Sequence, residues 1–185
     1  MEYLTYEKLS TLDLNAAREL YEDCRFNRCS LGSADLSGMT FRGCVFEGCD
    51  ISLARLRDTS LQGVRFIQSK LLGVQFSECR KFLLQIGFEQ CMLRFSTFTS
   101  LDLRNTTFSG CDLQEADFSG TDLTGASFCD CDLQRATFFR TNLESADFRS
   151  AFNYSISPET NRIGKARFSI PEVTGLLDGY GIEIE

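Results

Sequence analysis

From Ile86 to Ser150 every fifth residue of the chain is large and apolar, and most of the residues between are small or polar. The apolar positions are Phe88, Leu93, Phe98, Leu103, Phe108, Leu113, Phe118, Leu123, Phe128, Leu133, Phe138, Leu143 and Phe148, alternating Phe and Leu throughout. A period of five matches neither the 3.6 of an amphipathic helix nor the 2 of a half-buried strand. Self-similarity at a fixed period instead predicts a solenoid, whose units bury a face only by stacking on their neighbours.

If each five-residue unit forms one side of a square rung, residues twenty apart lie above one another. Phe88, Phe108, Phe128 and Phe148 then share a column, with Phe98, Phe118 and Phe138 opposite. Leu93, Leu113 and Leu133 fill a third wall, and Leu103, Leu123 and Leu143 a fourth. Upstream the register runs through Phe26, Leu31, Leu36, Phe41, Phe46, Ile51, Leu56, Leu61, Phe66, Leu71 and Phe76. Between Phe76 and Phe88 the chain is two residues too long, so residues 77–87 carry a register slip, predicted to be a bulge or short loop that includes the basic pair Arg80 and Lys81. The two runs predict about six rungs, a rod of about 29 Å at ~4.8 Å per rung.

This divides the chain into an N-terminal cap (1–23), a repeat body (24–150) and a C-terminal module (151–185). A cap is expected because a solenoid end exposes unpaired backbone groups. Asn15 to Tyr21 reads as a short helix, with Tyr21 opening the first rung. At the other end, Pro171 to Asp178 reads as a helix with proline in its first turn and Gly179 as its stop. Ile182 to Ile184 reads as a brief strand. Ile170, Val173, Leu176, Leu177, Ile182 and Ile184 are more apolar surface than a small cap needs, and a symmetric dimer would bury them.

The nine cysteines change little. Cys24, Cys29, Cys44, Cys49, Cys91, Cys111 and Cys131 each stand two residues before a central apolar residue, where other units place Ala, Thr, Ser or Val. Cys79 fits the same slot if the upstream register continues to it. They read as small buried hydrophobes along a rod, not as metal ligands converging on a point. Free thiols suit a reducing cytoplasm. Cys129 alone falls on an outward position.

Composition narrows the function. The chain has no histidine, which removes the commonest general base and metal ligand. Its glycines do not fall in phosphate-cradling order. Aspartates one rung apart are a consequence of the repeat before they are an acid/base pair. We therefore expect no enzyme, no cofactor and no metal. The sequence also carries no apolar run long enough for a membrane span and no signal-peptide pattern. The net charge of −7 disfavours nucleic acid or an anionic membrane as a direct partner. Residues 86–150 hold ten acids against five bases, whereas residues 24–78 hold five against seven. The acidic half carries about one net negative charge per 3 Å of rod, against about one per 1.7 Å for duplex DNA.

Units such as Cys111-Asp112-Leu113-Gln114-Glu115 and Ala116-Asp117-Phe118-Ser119-Gly120 resemble the A(D/N)LXX units of pentapeptide-repeat proteins. The likeness covers roughly residues 19–150. It implies an all-β fold, a right-handed quadrilateral β-helix. Length and tail, including Ile156-Ser157-Pro158-Glu159 and Ile170-Pro171-Glu172, are similar to the Qnr- and MfpA-type topoisomerase-protection proteins and above all the microcin B17 immunity type. That resemblance implies a homodimeric, cytoplasmic DNA mimic whose partner is DNA gyrase or topoisomerase IV. The acidic surface would be Asp102, Asp112, Asp117, Asp122, Asp132 and Asp147, with Arg80 and Lys81 as a possible loop contact. Qnr proteins project two longer loops, and this chain has only the slip. A structural scaffold with an unrelated partner is the alternative, in which the aspartates solvate the rod and order its turns.

Overall fold

The structure, a computed structural model, describes residues 4–10 and 19–183. The repeats build a four-walled parallel β-solenoid. On the first wall nine short strands stack in register: Leu4–Glu7, Cys24–Asn27, Val45–Glu47, Val64–Ile67, Ile86–Glu89, Thr107–Ser109, Ser127–Cys129, Asp147–Phe148 and Arg167–Phe168. On the fourth wall Leu20–Glu22, Thr40–Arg42 and Ser60–Gln62 form a three-stranded sheet. The second and third walls are held by single bridges such as Asp112 to Asp132 and Asp117 to Thr137.

Paired residues are twenty apart, as in Phe46 with Phe66, except across the slip, where Phe66 pairs with Phe88. The central side chains fill the axis. Phe108 stacks on Phe128 with ring centroids 5.0 Å apart and meets Phe118 edge-on at 5.8 Å. Both geometries are favoured by the ring quadrupole.

The small residue two places before each central one points inward and serves the corners. The hydroxyl of Thr121 donates to the Phe98 carbonyl at 2.7 Å, that of Thr141 to Phe118 at 2.9 Å and that of Ser69 to Phe46 at 3.2 Å. The thiols of Cys44, Cys49 and Cys91 do the same to Tyr21, Phe26 and Phe66. These bonds satisfy corner carbonyls that the short ladders leave over. The residue two places after the central one turns the corner, and there the backbone is left-handed at Gly110, Glu115, Gly120 and Gly125, among many others.

Both ends of the rod run further than the fives predict. Tyr6 pairs with Phe26 and stacks on it, so the ladder begins at Leu4, inside the expected cap. At the far end Phe168 pairs with and stacks on Phe148. Nine strands make about eight turns in place of the expected six, or ~38 Å at ~4.8 Å each. The last rung is hidden in the sequence because Asn153 and Pro158 stand where a central apolar residue belongs, and Tyr154 and Ile156 are buried in their stead.

The helix expected from Pro171 to Asp178 is two 3-10 turns, Val173–Leu176 and Asp178–Tyr180. Glycine and β-branched residues give this segment little helix propensity. In addition, the Gly175 carbonyl accepts a bond from the Ile156 amide at 2.9 Å, which ties the turn to the rod end. A Cβ at Gly175 would lie 2.1 Å from the Tyr154 carbonyl oxygen, so this close approach requires glycine. Ile182 and Glu183 lie in no regular element, and Ile184 falls outside the described residues. Of the helix expected from Asn15 to Tyr21, residues 15–18 also fall outside them, and Leu20–Glu22 is a strand.

Candidate functional site: the acidic half and its borders

The aspartates occupy the position just before the central residue, where the side chain points outward and curls back over its own turn. A carboxylate oxygen of Asp117 accepts the Ser119 amide at 2.8 Å, that of Asp122 the Thr124 amide at 3.0 Å and that of Asp132 the Gln134 amide at 3.1 Å. Asp102, Asp112 and Asp147 make the same bond to Arg104, Gln114 and Arg149. Asn142 does so to Glu144, so a neutral amide serves the turn as well as a carboxylate.

The six residues do not share one surface. Asp102 bridges to Asp122 on the fourth wall and Asp112 to Asp132 on the second, while Asp117 lies on the third and Asp147 on the first. Half of them are also neutralised. Arg104 chelates Asp102, Arg94 pairs with Asp112, and Arg149 and Arg167 both reach Asp147. The hydrogen bond from Arg104 holds the Asp102 carboxyl below the usual carboxylate range, and that from Arg149 does so for Asp147. Asp117, Asp122 and Asp132 make no ion pair among the described residues. The newly recognised last rung is basic, with Arg162, Lys165 and Arg167 against Glu159. The site aspartates left without an ion pair therefore lie one to two rungs inside the end of the body.

At the slip, the chain leaves the wall after Arg80, whose amide still bonds the Thr59 carbonyl, and returns at Gln85, which bonds Leu61. Lys81 is drawn onto the rod, its Nζ donating to the Ser100 carbonyl at 2.9 Å. The tip is instead apolar: Phe82 is 72% and Leu83 59% exposed. A groove of about 570 Å³ between loop and body is lined by Lys81, Asp102 and Arg104 among others. Its charged groups are tied to each other or to backbone, and it holds no nucleophile with a base.

Of the apolar residues expected to dimerise, Ile170, Val173 and Ile182 are exposed, Leu177 is half-buried, and Leu176 packs against the rod end. They split into a face that closes the last rung and a face that is free. Tyr154, beneath the cap, is buried with its hydroxyl unpartnered; burial, with Glu172 nearby, pushes its pKa up to about 12.

The thiols behave as small hydrophobes. All but Cys129 are buried, and burial pushes Cys44 up to about 11 and Cys79 to about 12. Among the described residues no three His, Cys, Asp or Glu side chains are gathered as metal ligands. No helix there is long and apolar enough to cross a membrane.

A family model described as "Pentapeptide repeat region" matches residues 21–82 and 81–148, its two matches meeting at the loop. The chain belongs to the pentapeptide-repeat family. Two structures of trypsin-treated variants of QnrB1, a plasmid-mediated fluoroquinolone resistance protein, are similar over the whole chain. One has a TM-score of 0.67 and 16% identity over 99% of this chain and 98% of that one. The other has a TM-score of 0.64 and 16% identity over 100% of both. This likeness is one of fold. No curated protein matches the sequence.

Two features escape the repeat pattern read on its own. One is the basic last rung, which only the structural register reveals. The other is a pair of apolar residues at corners, Leu53 and Phe95. The signal for these was present: both stand two places after a central residue, where the other units carry polar residues or glycine.

Proposed function

We propose that this chain is a non-enzymatic protein that binds a type II topoisomerase, DNA gyrase or topoisomerase IV, and protects it from a toxin or antibiotic. It would act in the cytoplasm as a homodimer joined through the C-terminal module. The carrying observation is the rod itself: carboxylates stand outward at one-rung steps, Asp102 next to Asp122 and Asp112 next to Asp132, on a solid core of Phe and Leu. Such a body would offer a DNA-binding saddle a negatively charged cylinder that does not separate into strands. The exposed Ile170, Val173 and Ile182 support the dimer, and the likeness to a fluoroquinolone resistance protein is in keeping with this reading.

Because all six aspartates also order turns, the test must separate charge from turn. Replacing Asp102, Asp112, Asp117, Asp122, Asp132 and Asp147 by Asn keeps an acceptor for each amide and removes the charge. The six-fold variant is expected to keep its melting temperature and to bind purified gyrase at least ten-fold more weakly in a supercoiling and pull-down assay. Failure of the unaltered protein to bind, to inhibit or to relieve any gyrase poison at micromolar concentration would overturn the proposal.

The turn bonds and ion pairs favour a second reading, a scaffold for an unrelated partner. There the six-fold Asn variant would bind its partner unchanged.

A further inference from the structure

Exposed residues at the corners have left-handed backbone, a conformation that disfavours every residue with a Cβ except, to a lesser degree, Asn and Asp. Among the non-glycine residues found in it, only Leu53, Leu83 and Phe95 are large and apolar. Leu83 belongs to the loop. Leu53 and Phe95 belong to regular rungs on the corner between the second and third walls, with φ of 57° and 61°, and are 63% and 56% exposed.

They form one surface. The Leu53 amide bonds the Leu72 carbonyl and the Gly73 amide bonds the Arg94 carbonyl, so Leu53, Gly73 and Phe95 follow one another up the corner. A Cβ at Gly73 would lie 2.8 Å from Leu53 Cδ2, so the leucine leans across the glycine towards Phe95. Beside them on the second wall lie Leu72 and the exposed Met92, the latter in a column that elsewhere carries Ser10, Ser30, Asp50, Lys70, Asp112 and Asp132, and is apolar again only at Phe152 near its far end among the described residues. Neither corner side chain contributes to the core, and each is held in a backbone state that Asn or Gly would occupy at lower cost. The fold has no use for them.

Charge selects the occupant. Above the patch, Asp112 is paired with Arg94 and Glu115 with Arg135. Below it Lys70, which stands between Asp50 and Met92 in the ladder, is exposed and makes no ion pair among the described residues. Four side chains are far too few for a stable dimer contact, which needs ~800 Å² from each partner. They have the size of a hot spot within a larger interface.

We infer that Leu53, Leu72, Met92 and Phe95 are the anchor by which the rod docks on its protein partner, against an apolar segment that carries a carboxylate to meet Lys70. This rests on the topoisomerase reading for the identity of that partner. It adds that affinity comes from an apolar contact at mid-rod and does not reside in the aspartates alone.

The test compares three proteins on immobilised gyrase: unaltered, Leu53→Asn/Phe95→Asn, and Lys70→Glu. The double variant is expected to melt at the same or a higher temperature and to raise Kd at least 30-fold; Lys70→Glu is expected to raise it about ten-fold. Binding by the double variant within two-fold of the unaltered protein overturns this inference and leaves the topoisomerase reading standing. Absence of binding by the unaltered protein overturns both. A double variant that melts lower would show that the two side chains support the fold, and would overturn the premise.

Discussion

The two halves of the rod solve the same packing problem differently. In the C-terminal half the aromatic columns stand on opposite walls, the first and the third, and Phe118 touches four rings: Phe98 and Phe138 stacked, Phe108 and Phe128 edge-on. In the N-terminal half the second column lies on the fourth wall, where Tyr21 stacks on Phe41. It hands over to the third wall at Phe76, which stacks on Phe98. The rung between, with Ile51, Leu56, Leu61 and Phe66, holds a single ring. The wall that loses its aromatic residue is the wall whose sheet ends at Ser60–Gln62 and from which the loop then departs. A change of side-chain volume in the core and a change of register at the surface are thus one event.

The sharpest way to break this comparison is to truncate one central side chain in each half. Phe118→Ala deletes four ring contacts in a close-packed column and should cost about 3–5 kcal/mol. Leu56→Ala, in the one-ring rung, should fall at the low end of the ~2–5 kcal/mol range for leucine truncations. Urea denaturation measures both. Equal losses would mean that the hand-over rung is packed as tightly as the rest.

The C-terminal cap comes next. Gly175→Val drives a side chain into the Tyr154 carbonyl and should destabilise the rod by about 1–3 kcal/mol while lowering the dimer fraction in sedimentation. Tyr154→Phe should act in the opposite sense and stabilise by about 1 kcal/mol, because the buried hydroxyl has no partner. A lower melting temperature for the Phe variant would show that the hydroxyl is satisfied in solution.

A third effect is read by pH and runs through both halves, since Cys91 and Cys131 are raised too, by their contact with Cys111 and by burial. The thiols of Cys44 and Cys79, both before or at the slip, ionise at about 11 and about 12 when folded, against 9.0 for an unburied thiol. A group whose folded pKa is raised stabilises fully below its unfolded pKa. Stability should therefore be level up to about pH 9 and fall from there to about 12, since the unfolded chain releases these protons first. The fall should become shallower in Cys44→Ala/Cys79→Ala without vanishing, because Cys49, Cys91 and Cys131 are raised as well; thermal melting across that range measures it.

What the sequence makes legible follows from these contrasts. Where each rung repeats its volumes, as from Phe88 to Phe148, a period of five is enough to assign walls, columns and even the inward cysteines. Legibility fails where one position's role passes to a neighbour. Tyr154 and Ile156 do the work of Asn153 and Pro158, so the last rung is invisible to a five-residue count. The aspartates are legible as outward positions but not as a surface, because wall membership spreads them around the rod, and Arg94, Arg104 and Arg149 neutralise some of them from neighbouring positions. The apolar corners at Leu53 and Phe95 stand out in the repeat as exceptions to a polar or glycine slot, but their cost appears only once the backbone is known to be left-handed there.

The smallest expected effect bears on the aspartates. Asp122 has no ion pair, and its carboxylate accepts the Thr124 amide at 3.0 Å and the Thr124 hydroxyl at 2.6 Å. Asp122→Ala leaves that amide without its acceptor on a partly solvated turn, and should cost about 0.5–1.5 kcal/mol, the net worth of one hydrogen bond. Asp122→Asn keeps the acceptor and should lie within about 0.5 kcal/mol of the unaltered protein, since the equivalent Asn142 accepts its own turn amide, that of Glu144, in the next rung. If both variants were equally destabilised, the carboxylate charge itself would be holding the turn, and the binding loss of the six-fold Asn variant could no longer be assigned to charge at the surface. If neither were, the turn bond would add nothing, and Asp122 would be free to act on a partner alone.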